Sequence, residues 1–178
     1  MTNRIFFWSP KENSYPSKAC FCQWYPSPFR LNGILYHTAE HFMMACKAKL
    51  FGDEESMWKI IEEPEPRIVK EYGREVKFFD AKLWERYRVE IVTVGNYLKF
   101  TENDELCDFL LSTGDLEIVE ASPYDRIWGI GLSADDPLAN HPEKWRGLNL
   151  LGKSIMSARE LIRNEERIYI SPIFIPTP

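Results

Sequence analysis

A chain of 178 residues, 44% of them apolar, can bury one substantial hydrophobic core and needs no second domain. A formal charge of -5 and a pI near 5.3 argue against a protein held to nucleic acid mainly by counterion release, leaving room only for a small basic pocket in an acidic surface. Met1 to Pro10 lacks the apolar core of a signal peptide and no run reaches the ~18 apolar residues of a membrane span, so a soluble, cytoplasmic protein with free thiols at Cys20, Cys22, Cys46 and Cys107 is expected.

"RIFFW" (4–8) reads as a short strand, and "PFRLNGILY" (28–36) as a hairpin turning at Asn32-Gly33, so the N-terminal part is expected to form a small sheet. The period then becomes helical. Phe42, Met43, Cys46 and Leu50 mark one helix that ends at Gly52-Asp53, and a second is expected after Pro66 with Val69, Tyr72, Val76 and Phe79 inward. Trp84, Tyr87, Ile91, Val94 and Leu98 form the clearest amphipathic stripe, which reads as core. Asp104 to Leu111 reads as a short helix, "STGD" (112–115) as a turn and "LEIVEA" (116–121) as a strand. Leu148, Leu151, Ile155, Ala158 and Ile162 mark the last helix, before a Pro-punctuated extended tail over 164–178. The expected fold is a compact, predominantly helical α+β single domain with a small N-terminal β portion. Six Trp, eight Tyr and eleven Phe suffice for a core and for a stacking pocket, and composition does not separate the two.

The segment His37-x-x-Glu40-His41 has the spacing of an inverted zinc-protease motif. Two His ligands four residues apart must share one helical face, but Thr38 is a good N-cap and leaves His37 outside the helix, so the imidazoles are expected to diverge. The same cap puts Glu40 in the first turn, where the positive end of the helix dipole favours its ionised form. Glu40 and Lys47 lie on one face two turns apart. They read either as a carboxylate and ammonium at a site, or as a helix-stabilising first-turn Glu with a solvated Lys.

A second constellation is "EASPYDRIWGIG" (120–131). Ser122-Pro123-Tyr124-Asp125 has the form of a capping box opening a helix or turn, which alone accounts for Asp125. Trp128 stands between Gly129 and Gly131, which permit close approach of either a flat ligand or packed core.

The stretches "QWYPSPFRLNGILYHTAEHFMMACKA" (23–48), "YGREVKFFD" (72–80), "GNYLKF" (95–100), "LLSTGDLEIVEASPYDRIWGIG" (110–131) and "GLNLLGKSIMSAR" (147–159) together resemble the NADAR family, whose bacterial members include riboflavin-biosynthesis-intermediate N-glycosidases. They follow the family's order and extend from about Phe6 to Arg163. The family pattern has Glu-His followed by a Lys, with a variable residue at position 37, which turns the motif away from zinc.

The resemblance implies a hydrolase of N-glycosyl bonds that acts without metal or other cofactor on a bond joining ribose phosphate to a heterocycle. Its implied substrates are ribosylamino-pyrimidine phosphates of riboflavin biosynthesis, whose removal limits metabolite damage, or ADP-ribose attached to guanine in nucleic acid. Glu40 and Asp125 are the implied carboxyl pair for an oxocarbenium-like transition state, with Lys47 matching a further family position. Trp128 would stack on the base, Lys47 and Arg74 would neutralise phosphate, and Trp84 and Asn149 match further family positions at the substrate, where Trp84 also reads as the head of the amphipathic stripe and Asn149 as a helix cap. Many relatives carry Leu-Ser-Asn-aromatic where this chain has Phe21-Cys22-Gln23-Trp24, which would reshape the pocket if those residues line it. A non-cleaving ADP-ribose-binding module is the rival from another class, and it would not need Glu40. A plain helical interaction domain would need neither Glu40 nor a ligand.

Overall fold

The computed structural model describes residues 3–10 and 15–177. It contains strands β1 (Arg4–Phe7), β2 (Phe29–Leu31), β3 (Ile34–Tyr36) and β4 (Glu117–Glu120), and helices α1 (Ala39–Leu50), α2 (Glu54–Glu62), α3 (Pro66–Arg74), α4 (Ala81–Thr101), α5 (Asp104–Ser112) and α6 (Leu150–Arg163). The fold is α+β and predominantly helical. No helix among the described residues is long and apolar enough to cross a membrane.

The expected hairpin forms, with Asn32 and Gly33 at φ of 51° and 81° supplying the positive angles of its turn. Instead of joining that hairpin in one sheet, β1 pairs in parallel with β4, in the register Arg4 to Glu117 through Phe7 to Glu120. A parallel partner requires a long crossover, and here all of α1 to α5 lies between the paired strands. The chain therefore brings residue 120 back beside the N-terminal strand.

Thr38 caps α1 by accepting the His41 N–H, as its residue type predicts. Helix α2, unmarked in the sequence reading, starts at Asp53, whose Oδ1 caps Ser56 while Oδ2 accepts the Lys77 N–H. That second bond helps explain why α3 stops at Arg74. The apolar period continues to Val76 and Phe79, but Phe78 takes a φ of 58°, Val76 is buried outside a helix, and Phe79 is exposed.

Helix α1 packs against α2, α3 and α4, and α4 against α6, which also crosses β4. Phe21, Tyr36, Phe42, Phe100 and Phe174 are fully buried in this core, so packing accounts for many of the aromatic residues. Phe174 anchors a tail that, among the described residues, has no regular element after α6. Two close crossings depend on missing side chains. A Cβ on Gly73 of α3 would lie 2.0 Å from the Met44 sulfur, and one on Gly152 of α6 would lie 2.0 Å from the Ile118 carbonyl oxygen. The first crossing holds Lys70 and Arg74 of α3 over α1; the second seats α6 on β4.

Candidate active site

Glu40 begins the site. Its backbone N–H, freed by its position in the first turn, donates to the Gln23 carbonyl at 3.0 Å, and the residue is only 3% exposed. The Trp24 side chain hydrogen-bonds to its carboxyl, while Oε1 has neither solvent contact nor a hydrogen-bond partner. Burial is the largest influence on its pKa and raises it to about 7; Asp125 adds to the rise, and Lys70, the Trp24 bond and Arg74 oppose it. Desolvation of the charged form thus outweighs the helix terminus, and Glu40 is not held ionised as its first-turn position predicts.

Asp125 lies in an irregular turn, and no α-helix follows Ser122 until α6, only short 3-10 turns at Pro137–Asn140 and Pro142–Lys144. Ser122 Oγ accepts the Asp125 N–H at 3.2 Å, one arm of the expected box. Asp125 Oδ1 accepts the N–H groups of Ile127 and Trp128 at 2.8 and 2.7 Å, which folds the turn around the carboxyl. The space beside Gly129 is occupied by the Glu120 and Asp125 carbonyls, so backbone makes the close approach there. Trp128 is half-buried and packs against the core.

Glu120 and Lys70 join these groups, although sequence reasoning named neither. Glu120 ends β4 with its N–H donating to Asn149 Oδ1 at 3.0 Å, and its Oε2 is shut off from solvent without a hydrogen-bond partner. Burial raises its pKa to about 8, with further upward pressure from Asp125 and Glu40 and downward pressure from Lys70. Lys70 therefore acts on both Glu40 and Glu120, and its ammonium also lies 5.6 Å from the Trp24 ring centre. Lys70 and Arg74 are four residues apart on α3, the spacing that puts two cations on one helix face. That spacing is a sequence signal for the pair; the meeting of three carboxyls is a product of tertiary folding.

The remaining predicted residues sit differently. Lys47 donates to the Gly73 carbonyl at 2.6 Å and lies 4.5 Å from the Phe79 ring centre and 5.7 Å from that of Trp84, in a half-buried setting that lowers its pKa. Its ammonium ties α1 to α3, and half-buried Trp84 is one wall of its niche. Arg74 is exposed beside Glu40. Asn149, expected to face substrate, is fully buried: its Oδ1 takes the Glu120 N–H and its Nδ2 donates to the Ile118 carbonyl at 3.0 Å. It stands at the N-cap position of α6 in a left-handed conformation, yet its amide grips β4 instead of capping that helix.

The expected divergence of the two imidazoles is also corrected, since His37 and His41 meet edge to face with centroids 5.5 Å apart. His41 is nevertheless committed elsewhere. Its Nε2 is 2.6 Å from the Glu63 carbonyl, which requires an N–H, and Nδ1 is 2.8 Å from Thr38 Oγ1, leaving neither nitrogen spare for a metal. Two surface hollows, one lined by Leu31, Ile170 and Ile175 and one by Glu55, Lys59 and Lys77, contain none of the clustered carboxyls.

Comparison with known proteins converges on one group. Residues 6–163 match the family described as NADAR domain. An N-glycosidase of Acanthamoeba polyphaga mimivirus is 43% identical over 164 residues, covering 89% of this chain and 96% of that protein. A riboflavin biosynthesis protein of Vibrio vulnificus is 28% identical over 160 residues, covering 90% of this chain and 39% of that longer protein. Among solved structures, the NMR structure of the Escherichia coli protein YbiA aligns with a TM-score of 0.74 at 25% identity, over 93% of this chain and 88% of that one.

Proposed function

The chain belongs to the NADAR domain family, and on that footing we propose that it is an N-glycosidase, a hydrolase of the bond between a ribose phosphate and a heterocyclic base. The relatives named for N-glycosidase activity and riboflavin biosynthesis support the reading. The observation that carries it is the Glu40 carboxyl, buried with an unpartnered Oε1 among Asp125, Glu120 and Lys70. An unsatisfied buried carboxyl oxygen is costly to maintain in a folded protein, and an electropositive reacting group would satisfy it.

Breaking a ribosyl C–N bond builds positive charge on the anomeric carbon and ring oxygen. Glu40 faces that charge in this proposal, and a carboxyl poised near neutrality ionises more readily as the cation develops. Asp125, with one oxygen fixed by two N–H bonds, orients the attacking water with the other. Lys70 and Arg74 receive the phosphate, and Trp128 offers an indole face to the base. Lys47 holds α1 and α3 at the separation this arrangement needs.

Ribosylamino-pyrimidine phosphates are the first substrate class of this reading. ADP-ribosyl guanine is the second, favoured by one feature: exposed Trp8 and Tyr124, with ring centres 6.0 Å apart, form an aromatic step next to Asp125 that can take another base. Chromatography of each substrate after incubation with the protein tests the proposal. Free base released from either supports the glycosidase and identifies its substrate class; intact substrate in both reactions, with folded protein, contradicts it.

A further inference from the structure

Three carboxyls share this site, and only two have a role so far. Glu120 is fixed at the end of β4 by its pairing with Phe7 and by the buried amide of Asn149. Its side chain therefore projects from a rigid element, while Oε2 has no solvent contact and no hydrogen-bond partner. The charged groups acting on it are Asp125, Lys70 and Glu40. Glu40 is itself deeply buried with a free oxygen, so two unsatisfied carboxyl oxygens belong to one electrostatic cluster.

We propose that Glu120 is the proton donor to the departing base, the general acid of the N-glycosidase reaction. This inference rests on the glycosidase reading above. Like charges in one buried site cannot all ionise, and carboxyls pushed apart in proton affinity divide into acid and base roles. Asp125 and Glu40 both press Glu120 toward its protonated form, and burial does the same. A neutral Glu120 is a donor in search of an acceptor, and a leaving nitrogen supplies one.

The step balances without a co-reactant. The electron pair of the C1′–N bond moves onto the base nitrogen, which takes the proton from Glu120. Water oxygen bonds to C1′ and gives a proton to Asp125 or Glu40. Passage of that proton from Asp125 or Glu40 back to Glu120 restores the site, and one water is consumed per bond cleaved.

The test compares two substrates with one ribose phosphate: the N-linked pyrimidine and a 4-nitrophenyl riboside 5-phosphate, whose phenolate departs without protonation. Glu120→Gln is expected to lower kcat/KM on the N-linked substrate by about 100-fold or more and on the nitrophenyl substrate by no more than about threefold. Glu40→Gln is expected to lower both. In the wild-type protein, kcat/KM for the N-linked substrate should fall with an alkaline limb that the nitrophenyl substrate lacks, a readout that remains if Glu120→Gln does not fold. Equal losses on the two substrates, or an alkaline limb common to both, would overturn the acid role while leaving the glycosidase intact. Cleavage of neither substrate by wild type would overturn the glycosidase reading and this inference with it.

Discussion

At the scale of the residue, the governing competition is between burial and local charge. A first-turn Glu is ordinarily favoured as an anion by the helix dipole, worth about 0.3–1 kcal/mol at a surface. Glu40 is too deeply buried for that term to win, and its pKa rises to about 7, as that of Glu120 rises to about 8. Both carboxyls hold protons in the folded protein that the unfolded chain has already released. Stability should therefore fall as pH rises from the ordinary carboxyl range, near 4.5, through these values. His41, with its pKa lowered by burial from 6.5, contributes in the opposite sense at lower pH. Lys99, lowered to about 8, begins to oppose the carboxyls at the alkaline end. The clean window lies between His41 and Lys99, and there thermal denaturation should show Tm falling with pH. Glu120→Gln should flatten that slope; an unchanged slope would contradict the buried-carboxyl account.

Glu40 was visible in the sequence because a cap, a helix start and a family motif converge on it. Lys70, Trp24 and Glu120 were not, because their importance lies in what folding places around one carboxyl. Cys22 and Gln23, marked as departures from the relatives, sit at the same place: Gln23 gives its carbonyl to Glu40 and its Oε1 to Asn96 at 3.1 Å. Replacing Trp24 with Phe keeps an aromatic ring but removes the hydrogen bond that lowers the Glu40 pKa. The acid limb of the pH–rate profile should consequently move to higher pH in Trp24→Phe; a limb that stays in place would separate it from Glu40.

Among the elements, the stripes of α1, α4 and α6 were legible because each presents apolar residues at three- and four-residue steps over several turns. The short α2 offers only Met57 and Ile60 as buried anchors among charged neighbours, so its pattern is thin. The α3 pattern misleads in the other direction. Val76 and Phe79 continue its period after the backbone has turned away, with the Lys77 N–H taken by Asp53. Pairing of β1 with β4 had no local signal, since it joins strands more than 100 residues apart. That pairing and the α6 crossing place Glu120. Gly152→Ala would put a methyl into the Ile118 carbonyl and should destabilise the protein by roughly 1–3 kcal/mol, visible as a lower Tm. Unchanged stability would mean that α6 and β4 are not in this contact.

For the molecule as a whole, the acidic surface and the local cations are compatible. A net charge of -5 leaves Lys70 and Arg74 as a confined attraction for one anionic group. On this account hydrolysis runs on carboxyls alone, and a chelator should leave the rate unchanged; a chelator-sensitive rate restored by added metal would refute that part of the proposal. The most direct measurement is the rate of base release from a ribosylamino-pyrimidine phosphate by wild type and Glu40→Gln side by side, with chelator present. The account predicts release by the wild type and a loss of about 100-fold or more in the folded variant. Equal rates in the two proteins would show that the buried Glu40 carboxyl is not the group that performs the chemistry.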